Sequence, residues 1–470
     1  MTRDLLALAP VRGALRFRPF QFLAIVPAAL VVAVVVASTW FGIDHPGFNF
    51  GTVFTWVVWW GALLLSFVFL GRAWCLVCPI GAAGEWVQRL RLWGRSRYTA
   101  GLELPWPRRL RNLWLATGLF LVFIWLDNGY GMSNSPRLTA GLIAVLTLAS
   151  AWIGLVFERR AFCRYVCPLT AFIGLNSLFS MLELRRREAE VCRADCATKD
   201  CYRGNATTYG CPMGEFPGGA MDTNLFCILC TECIKGCGHD NIGLRLRAPG
   251  QDLWAMRRPR ADGAFAAVTV VGLATLIPLV TYAWLPKVRG LLAGVLPAGL
   301  PPNDPPRLVG VGLLFAIGLG ASVALVYGFS LLSRRAAGAR ALPARALFVH
   351  YAYALIPLGL FKFLADLLDH ALRTWGALGD VTRALMLDFP LNRTVAGRVT
   401  VLHLLGPVET YLIQILLLLC GLLFTLFALH RISLRLFENR EVALASFLPM
   451  AGLGVVLTLV SLWMLGAPLL

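Results

Sequence analysis

Long apolar stretches, each close to the length of a bilayer-spanning helix, recur along the whole chain and are separated by arginine-rich loops. In hydrocarbon no water satisfies backbone N–H and C=O groups, so such stretches must be helices that bond internally. The expected fold class is an all-α polytopic membrane protein. A mean hydropathy of +0.69 and 58% hydrophobic residues exclude a soluble globule. A net charge of +18 would suggest nucleic acid in a soluble protein. Here the arginines lie between apolar segments, which the positive-inside rule explains, and no nucleic-acid partner is expected.

The pattern predicts about nine transmembrane helices: 20–42, 52–70, 112–127, 138–157, 264–285, 307–332, 346–371, 400–429 and 446–468. Arg3, Arg12, Arg16 and Arg18 put the N-terminus inside, and alternation makes the topology N-in/C-out. The first apolar run is too long for a signal h-region and reads as an uncleaved span. Between Arg185-Arg186-Arg187 and Arg257-Arg258-Pro259-Arg260, residues 184–262 are expected on the cytoplasmic side of a bacterial inner membrane. Three domains follow: a membrane domain over 1–183, a cytoplasmic insertion over 184–262, and a five-helix membrane domain over 263–470.

Twelve of the thirteen cysteines fall between residues 75 and 237, a clustering that points to ligands. Cys227-x2-Cys230-x2-Cys233-x3-Cys237 is the spacing by which a bacterial ferredoxin loop wraps three thiolates around one 4Fe–4S cube and sends the fourth to another. The insertion therefore reads as a ferredoxin-like domain with two 4Fe–4S clusters. One cluster takes Cys192, Cys196, Cys201 and Cys237; the other takes Cys211, Cys227, Cys230 and Cys233. The first run is irregular, with a nine-residue insertion before Cys211-Pro212, and Gly238 stands where ferredoxins carry proline. Zinc sites use two separated C-x2-C pairs, and disulfides need an oxidising compartment; both fit this order less well. Cys420, alone in an apolar helix, reads as a small core residue.

The N-terminal part contains an internal repeat. Phe69-x-x-Arg72-Ala73-Trp74-Cys75 aligns with Phe157-x-x-Arg160-Ala161-Phe162-Cys163, and Val77-Cys78-Pro79 with Val166-Cys167-Pro168. Both copies run in the same direction, so packing about a pseudo-twofold would bring the two Cys-Pro motifs together. Proline suits the first position of a new helix. A helix N-terminus and nearby arginines are expected to favour the thiolate. Cys75, Cys78, Cys163 and Cys167 could then hold a further iron–sulfur cluster or a metal ion; the other reading is buried thiols at a helix break.

A second constellation lies in the spans at 346–371 and 400–429. Antiparallel packing would pair His350 with His430 and His370 with His403, the general form of a bis-histidine haem b site, although the helical phases oppose one interface using all four. Lys362, Asp366 and His370 share one helical face. Either Lys362 and Asp366 neutralise each other, or His370, Asp366, His403 and Glu409 serve a quinone pocket with a proton path.

With its paired Cys-Pro motifs and its ferredoxin run, the chain resembles the polyferredoxin-like membrane proteins of the NapH, NosR and CcoG type over about residues 50–240. The resemblance implies electron transfer at the cytoplasmic membrane, between the quinone pool or cytoplasmic donors and an envelope redox system. Cys75 and Cys78 stand one residue closer than in those relatives, and the C-terminal spans have no counterpart there.

The function expected is thus a membrane-bound iron–sulfur electron-transfer protein, a quinone-linked oxidoreductase subunit with membrane lipid, the quinone pool and other redox-complex subunits as partners. Two alternatives stand beside it. One is a copper reductase or assembly factor, since soft thiolates suit Cu(I). The other is a transporter with regulatory clusters.

Overall fold

In the computed structural model, residues 4–89, 100–281, 305–338, 342–393 and 405–466 are described. In chain order come α1 (Ala9–Arg16), α2 (Phe20–Phe41), α3 (Phe50–Phe69), α4 (Ala73–Val77), α5 (Pro79–Gln88), α6 (Trp114–Tyr130), α7 (Pro136–Val156) and α8 (Leu169–Asn176). Strand β1 (Leu182–Arg186), α9 (Glu232–Gly236) and strand β2 (Ile242–Leu246) frame the cysteine-rich segment. The remaining helices are α10 (Ala261–Thr281), α11 (Pro305–Ala337), α12 (Ala344–Ala354), α13 (Ile356–Leu387), α14 (Pro407–Leu436) and α15 (Arg440–Gly466).

Among the described residues, 8 helices are long and apolar enough to cross a membrane. Expected as a ninth, α6 has 17 residues, at the short end of spanning lengths. Three expectations are refined. The chain is not purely helical, because β1 and β2 pair antiparallel with Leu184 opposite Leu244. The segment 346–371 is not one rod: the helix breaks at Leu355, with Pro357 entering the first turn of α13, where its missing N–H costs no bond. Finally, α13 runs on to Leu387, through residues expected to form a loop.

The contacts divide the chain into two compact units. The first comprises Met1–Val36, Leu65–Leu119 and Ala140–Arg257. All twelve clustered cysteines belong to it. Its ribbon packs Leu182, Leu184, Ile242 and Leu244 against Leu6, Ile234, Cys201 and Cys233. Asp4 ties the N-terminal segment to the ribbon, accepting from the Leu244 amide at 3.2 Å and from Arg187 Nε at 2.8 Å. Helices α5 and α7 cross at glycines: a Cβ on Gly154 would lie 2.2 Å from the Gly84 carbonyl oxygen. Small residues permit that backbone approach.

The second unit comprises Ala37–Leu64, Phe120–Thr139 and Arg258–Leu470. There α13, α14 and α15 pack in sequence, and α10 lies against α11, α12 and α13. Two buried polar side chains in it, Gln414 and Tyr351, bond across helices. Gln414 Nε2 donates to the Ala365 carbonyl at 2.8 Å, and the Tyr351 hydroxyl meets Ser433 and Ser446 at 2.9 and 2.7 Å.

Candidate functional site

The two Cys-Pro motifs repeat each other in backbone as well as sequence. Each is entered by a left-handed residue, Gly71 at φ +60° in the first copy and Arg159 at φ +59° in the second. Gly71 meets no Cβ penalty there. Arg159 adopts the same strained conformation with a side chain, which it uses: Nη1 donates to the Cys211 carbonyl at 3.0 Å, and the guanidinium lies 4.4 Å above the Tyr202 ring. The next residue of each copy, Arg72 or Arg160, is buried at 2% and 3% exposure.

One spare residue separates the copies, and its place is visible. Cys75 lies in the α-helical turn Ala73–Val77, whereas Cys163 lies in a wider π-helical turn, Phe162–Val166. The Cys167 amide donates back to the Phe162 carbonyl at 2.8 Å. A π turn absorbs a one-residue insertion without ending the helix, so C-x2-C and C-x3-C present their thiols alike. Cys78 and Cys167 are both extended, at ψ 116° and 123°, as a following proline demands.

The four Cys-Pro thiols lie close enough to act on one another electrostatically, Cys163 with Cys75, Cys78 and Cys167. Gly81 makes room for them: a Cβ there would stand 2.8 Å from Cys163 Sγ. Thiolate character in the free protein is a corrected expectation. Burial pushes the Cys78 thiol up to about 11 and Cys167 to about 12, and raises Cys163 as well. The N–H groups of Gly81, Ile80 and Leu169 and the arginines pull the other way but do not offset desolvation.

The eight remaining cysteines fall into the two expected sets. Cys192, Cys196, Cys201 and Cys237 line one cavity. Asn241 donates to two of its sulfurs, from its amide to Cys237 at 3.3 Å and from Nδ2 to Cys192 at 3.1 Å. A Cβ on Gly218 would come within 3.1 Å of Cys192 Sγ. Cys211, Cys227, Cys230 and Cys233 form the second set, with Cys233 acting on the other three. Its loop carries Leu229 at φ +55° and Thr231 at φ +64°. The Leu229 N–H bonds to the Cys227 sulfur and the Glu232 N–H to the Cys230 sulfur. Glu215 adds an N–H to Cys211 Sγ at 3.3 Å. Burial raises the Cys201, Cys211 and Cys227 thiols to about 11 and Cys230 to about 12.

Sulfurs met by backbone N–H groups, apolar surroundings and glycines that clear space suit a thiolate-bound iron–sulfur cube. Among the described residues, no three His, Cys, Asp or Glu side chains close around a single ion. Sulfurs on a tetrahedral zinc would stand about 3.8 Å apart.

The three sets are contiguous. Cys75 and Cys163 pack in one apolar cluster with Cys211 and Cys230. Cys201 and Cys233 share another, to which Cys227 and Cys237 also belong. The second set therefore stands between the Cys-Pro set and the first.

The histidine and carboxylate candidates are placed differently. Lys362, 2% exposed, pairs with Asp366 one helical turn on, the self-neutralising arrangement. His370 and Glu409 are exposed. His350 Nδ1 bonds the Ala346 carbonyl at 2.8 Å, leaving Nε2 as its other ring nitrogen. The His430 ring lies edge-on to Phe447 of α15 at 5.8 Å. His403 lies outside the described residues. Cys420, expected in a core, is exposed on α14.

Sequence reasoning missed Glu85 and Asn241. Glu85 is a carboxylate in the apolar helix that follows Cys78-Pro79, and that cost was its signal. Burial opposes its charge, but Arg160 and Arg89 hold its carboxyl below the usual range. Asn241 carried no signal.

A family described as a 4Fe-4S binding domain matches residues 52–98 and 139–183, the stretches carrying Cys75, Cys78, Cys163 and Cys167. The methylamine utilization ferredoxin-type protein MauN of Paracoccus denitrificans is 28% identical over 144 residues, covering 28% of this chain and 49% of that protein. The putative electron transport protein YccM of Escherichia coli is 30% identical over 201 residues, covering 37% and 52%. An uncharacterized protein of Methanocaldococcus jannaschii is 26% identical over 193 residues, covering 36% and 71%. The chain spans about half the length of the first two relatives. No solved structure matches it. The chain is thus similar to iron–sulfur electron-transfer proteins.

Proposed function

We propose that the protein is a membrane electron carrier of the NapH, NosR and CcoG type. Its three contiguous cysteine sets would hold three 4Fe–4S clusters on the cytoplasmic side of a bacterial inner membrane. The observation that carries this reading is the order of the sets, Cys75/Cys78/Cys163/Cys167, then Cys211/Cys227/Cys230/Cys233, then Cys192/Cys196/Cys201/Cys237, each packed on the next. Bound there, the clusters would supply one-electron redox chemistry at each stage. The protein's residues position and insulate. Arg159 and Arg72 tie the Cys-Pro motifs to the ferredoxin loop through the Cys211 and Leu225 carbonyls. Backbone amides meet the sulfurs, and Leu76, Met213 and Ile228 exclude water between the first two sets.

On this reading the chain works as a redox-complex subunit, and its membrane-side partner is a quinone. Asp366, His370, His403 and Glu409 are the acid–base groups available to it, with His350 and His430 as haem ligands if a haem b is present. The test is an anaerobic preparation with oxidised and dithionite-reduced visible spectra. Broad bleaching with no sharp α-band supports iron–sulfur carriers without haem; a sharp α-band adds a b haem; absence of bleaching sinks the proposal.

A further inference from the structure

The two repeat arginines are placed alike and neutralised differently. Arg160 Nη1 donates to the Cys75 carbonyl at 3.0 Å, and its Nε and Nη2 grip Glu85, with Nε at 2.7 Å. Arg72 Nη2 donates to the Cys163 carbonyl at 3.2 Å and Nη1 to the Leu225 carbonyl at 2.8 Å. Its Nε is buried without a hydrogen-bond partner. Among the described residues no carboxylate lies within ion-pair distance of Arg72, although it is one of the largest fully buried side chains. A guanidinium stays charged in any protein environment. A buried cation without a counter-charge is strongly unfavourable, and what adjoins this one is the Cys-Pro thiol set.

We propose that Arg72 is the counter-ion of the thiolate-bound group at Cys75, Cys78, Cys163 and Cys167, and that leaving Arg72 without a carboxylate, while Glu85 neutralises Arg160, sets that group's reduction potential. The inference rests on the reading that these cysteines hold a 4Fe–4S cluster. A cluster held there would take or give one electron, exchanged with the group held by the adjacent Cys211, Cys227, Cys230 and Cys233. No bond changes and no proton is taken up, because the guanidinium is charged before and after. The added negative charge falls beside an uncompensated cation, so the reduced form gains more than the oxidised form. Arg72 therefore makes this site easier to reduce than it would be without that charge. Arg72 is a positioning residue and touches no substrate.

The experiment is an anaerobic redox titration of the full-length protein in nanodiscs, followed by electron paramagnetic resonance, with iron counted per chain. R72Q should lower the midpoint of the Cys-Pro signal and leave the ferredoxin-type signals in place. E85Q, which frees the charges of both Arg160 and Arg89, should raise the same midpoint. R72K keeps the charge and should stay near wild type, which covers the case in which R72Q does not fold. A midpoint unmoved by R72Q and E85Q, or moved in the same direction by both, overturns the inference while the cluster reading stands. A C75S/C163S variant tests the foundation: loss of about four irons supports it, whereas unchanged iron overturns the cluster reading and this inference together.

Discussion

Arg72 and Arg160 each hold the other repeat's first cysteine: Arg72 Nη2 bonds the Cys163 carbonyl and Arg160 Nη1 bonds the Cys75 carbonyl. The exchange is what a parallel repeat packed about a pseudo-twofold requires. It ties each copy's arginine to the cysteine segment of the other.

Gly81 should be intolerant of any side chain. Its Cβ would stand 2.8 Å from Cys163 Sγ, so G81A displaces a thiol. We expect overpacking to cost about 1–3 kcal/mol and about four irons per chain to be lost, with the ferredoxin-type clusters retained. Iron analysis of the purified variant reads this directly.

The α5–α7 crossing depends on Gly154 in the same way, since its Cβ would meet the Gly84 carbonyl oxygen at 2.2 Å. That contact is with backbone, which cannot swing aside. G154A should lower the thermal midpoint in detergent, by about 1–3 kcal/mol of stability, while the neighbouring G141A, which meets nothing within 4 Å, should not.

Lys362 and Asp366 should behave as a pair. K362M removes the ammonium that pairs with Asp366 inside an apolar helix and is expected to destabilise the fold, and the double variant K362M/D366L should recover part of the loss. A double-mutant cycle of thermal unfolding measures the coupling. Equal losses from the single and double variants would contradict the ion pair.

Thiol reactivity in cluster-free protein should respond to pH in a stated direction. Burial raises Cys78, Cys201, Cys211 and Cys227 to about 11. The folded state therefore keeps these protons after the unfolded chain, near 9, has lost them. Their contribution to stability is fully present below about pH 9 and is lost as pH rises toward 11. Alkylation should be slow at pH 8 and still be climbing above pH 9; a plateau at pH 9 would show ordinary thiols.

The helices were legible because bilayer thickness fixes the length of an apolar run: 20–42 was expected where α2 is Phe20–Phe41, and 138–157 where α7 is Pro136–Val156. The groupings of the eight cysteines were readable from the spacing of their runs, and the repeat announced that Cys75 and Cys163 would meet. What spacing does not encode is how a residue is neutralised. Glu85 and Arg160 lie far apart in sequence and meet only when the repeats pack. Desolvation reversed the thiol expectation, because helix-end and arginine effects were visible locally and burial was not. The short ribbon escaped notice because Arg185 and Arg186 in β1 read as a topology signal rather than a strand.

The most direct test of the account is iron and acid-labile sulfide per chain in anaerobically prepared protein. Three contiguous cysteine sets predict about 12 of each, falling to about 8 when Cys75 and Cys163 are replaced by serine. Zinc in place of iron, or iron that does not change in that variant, would contradict it.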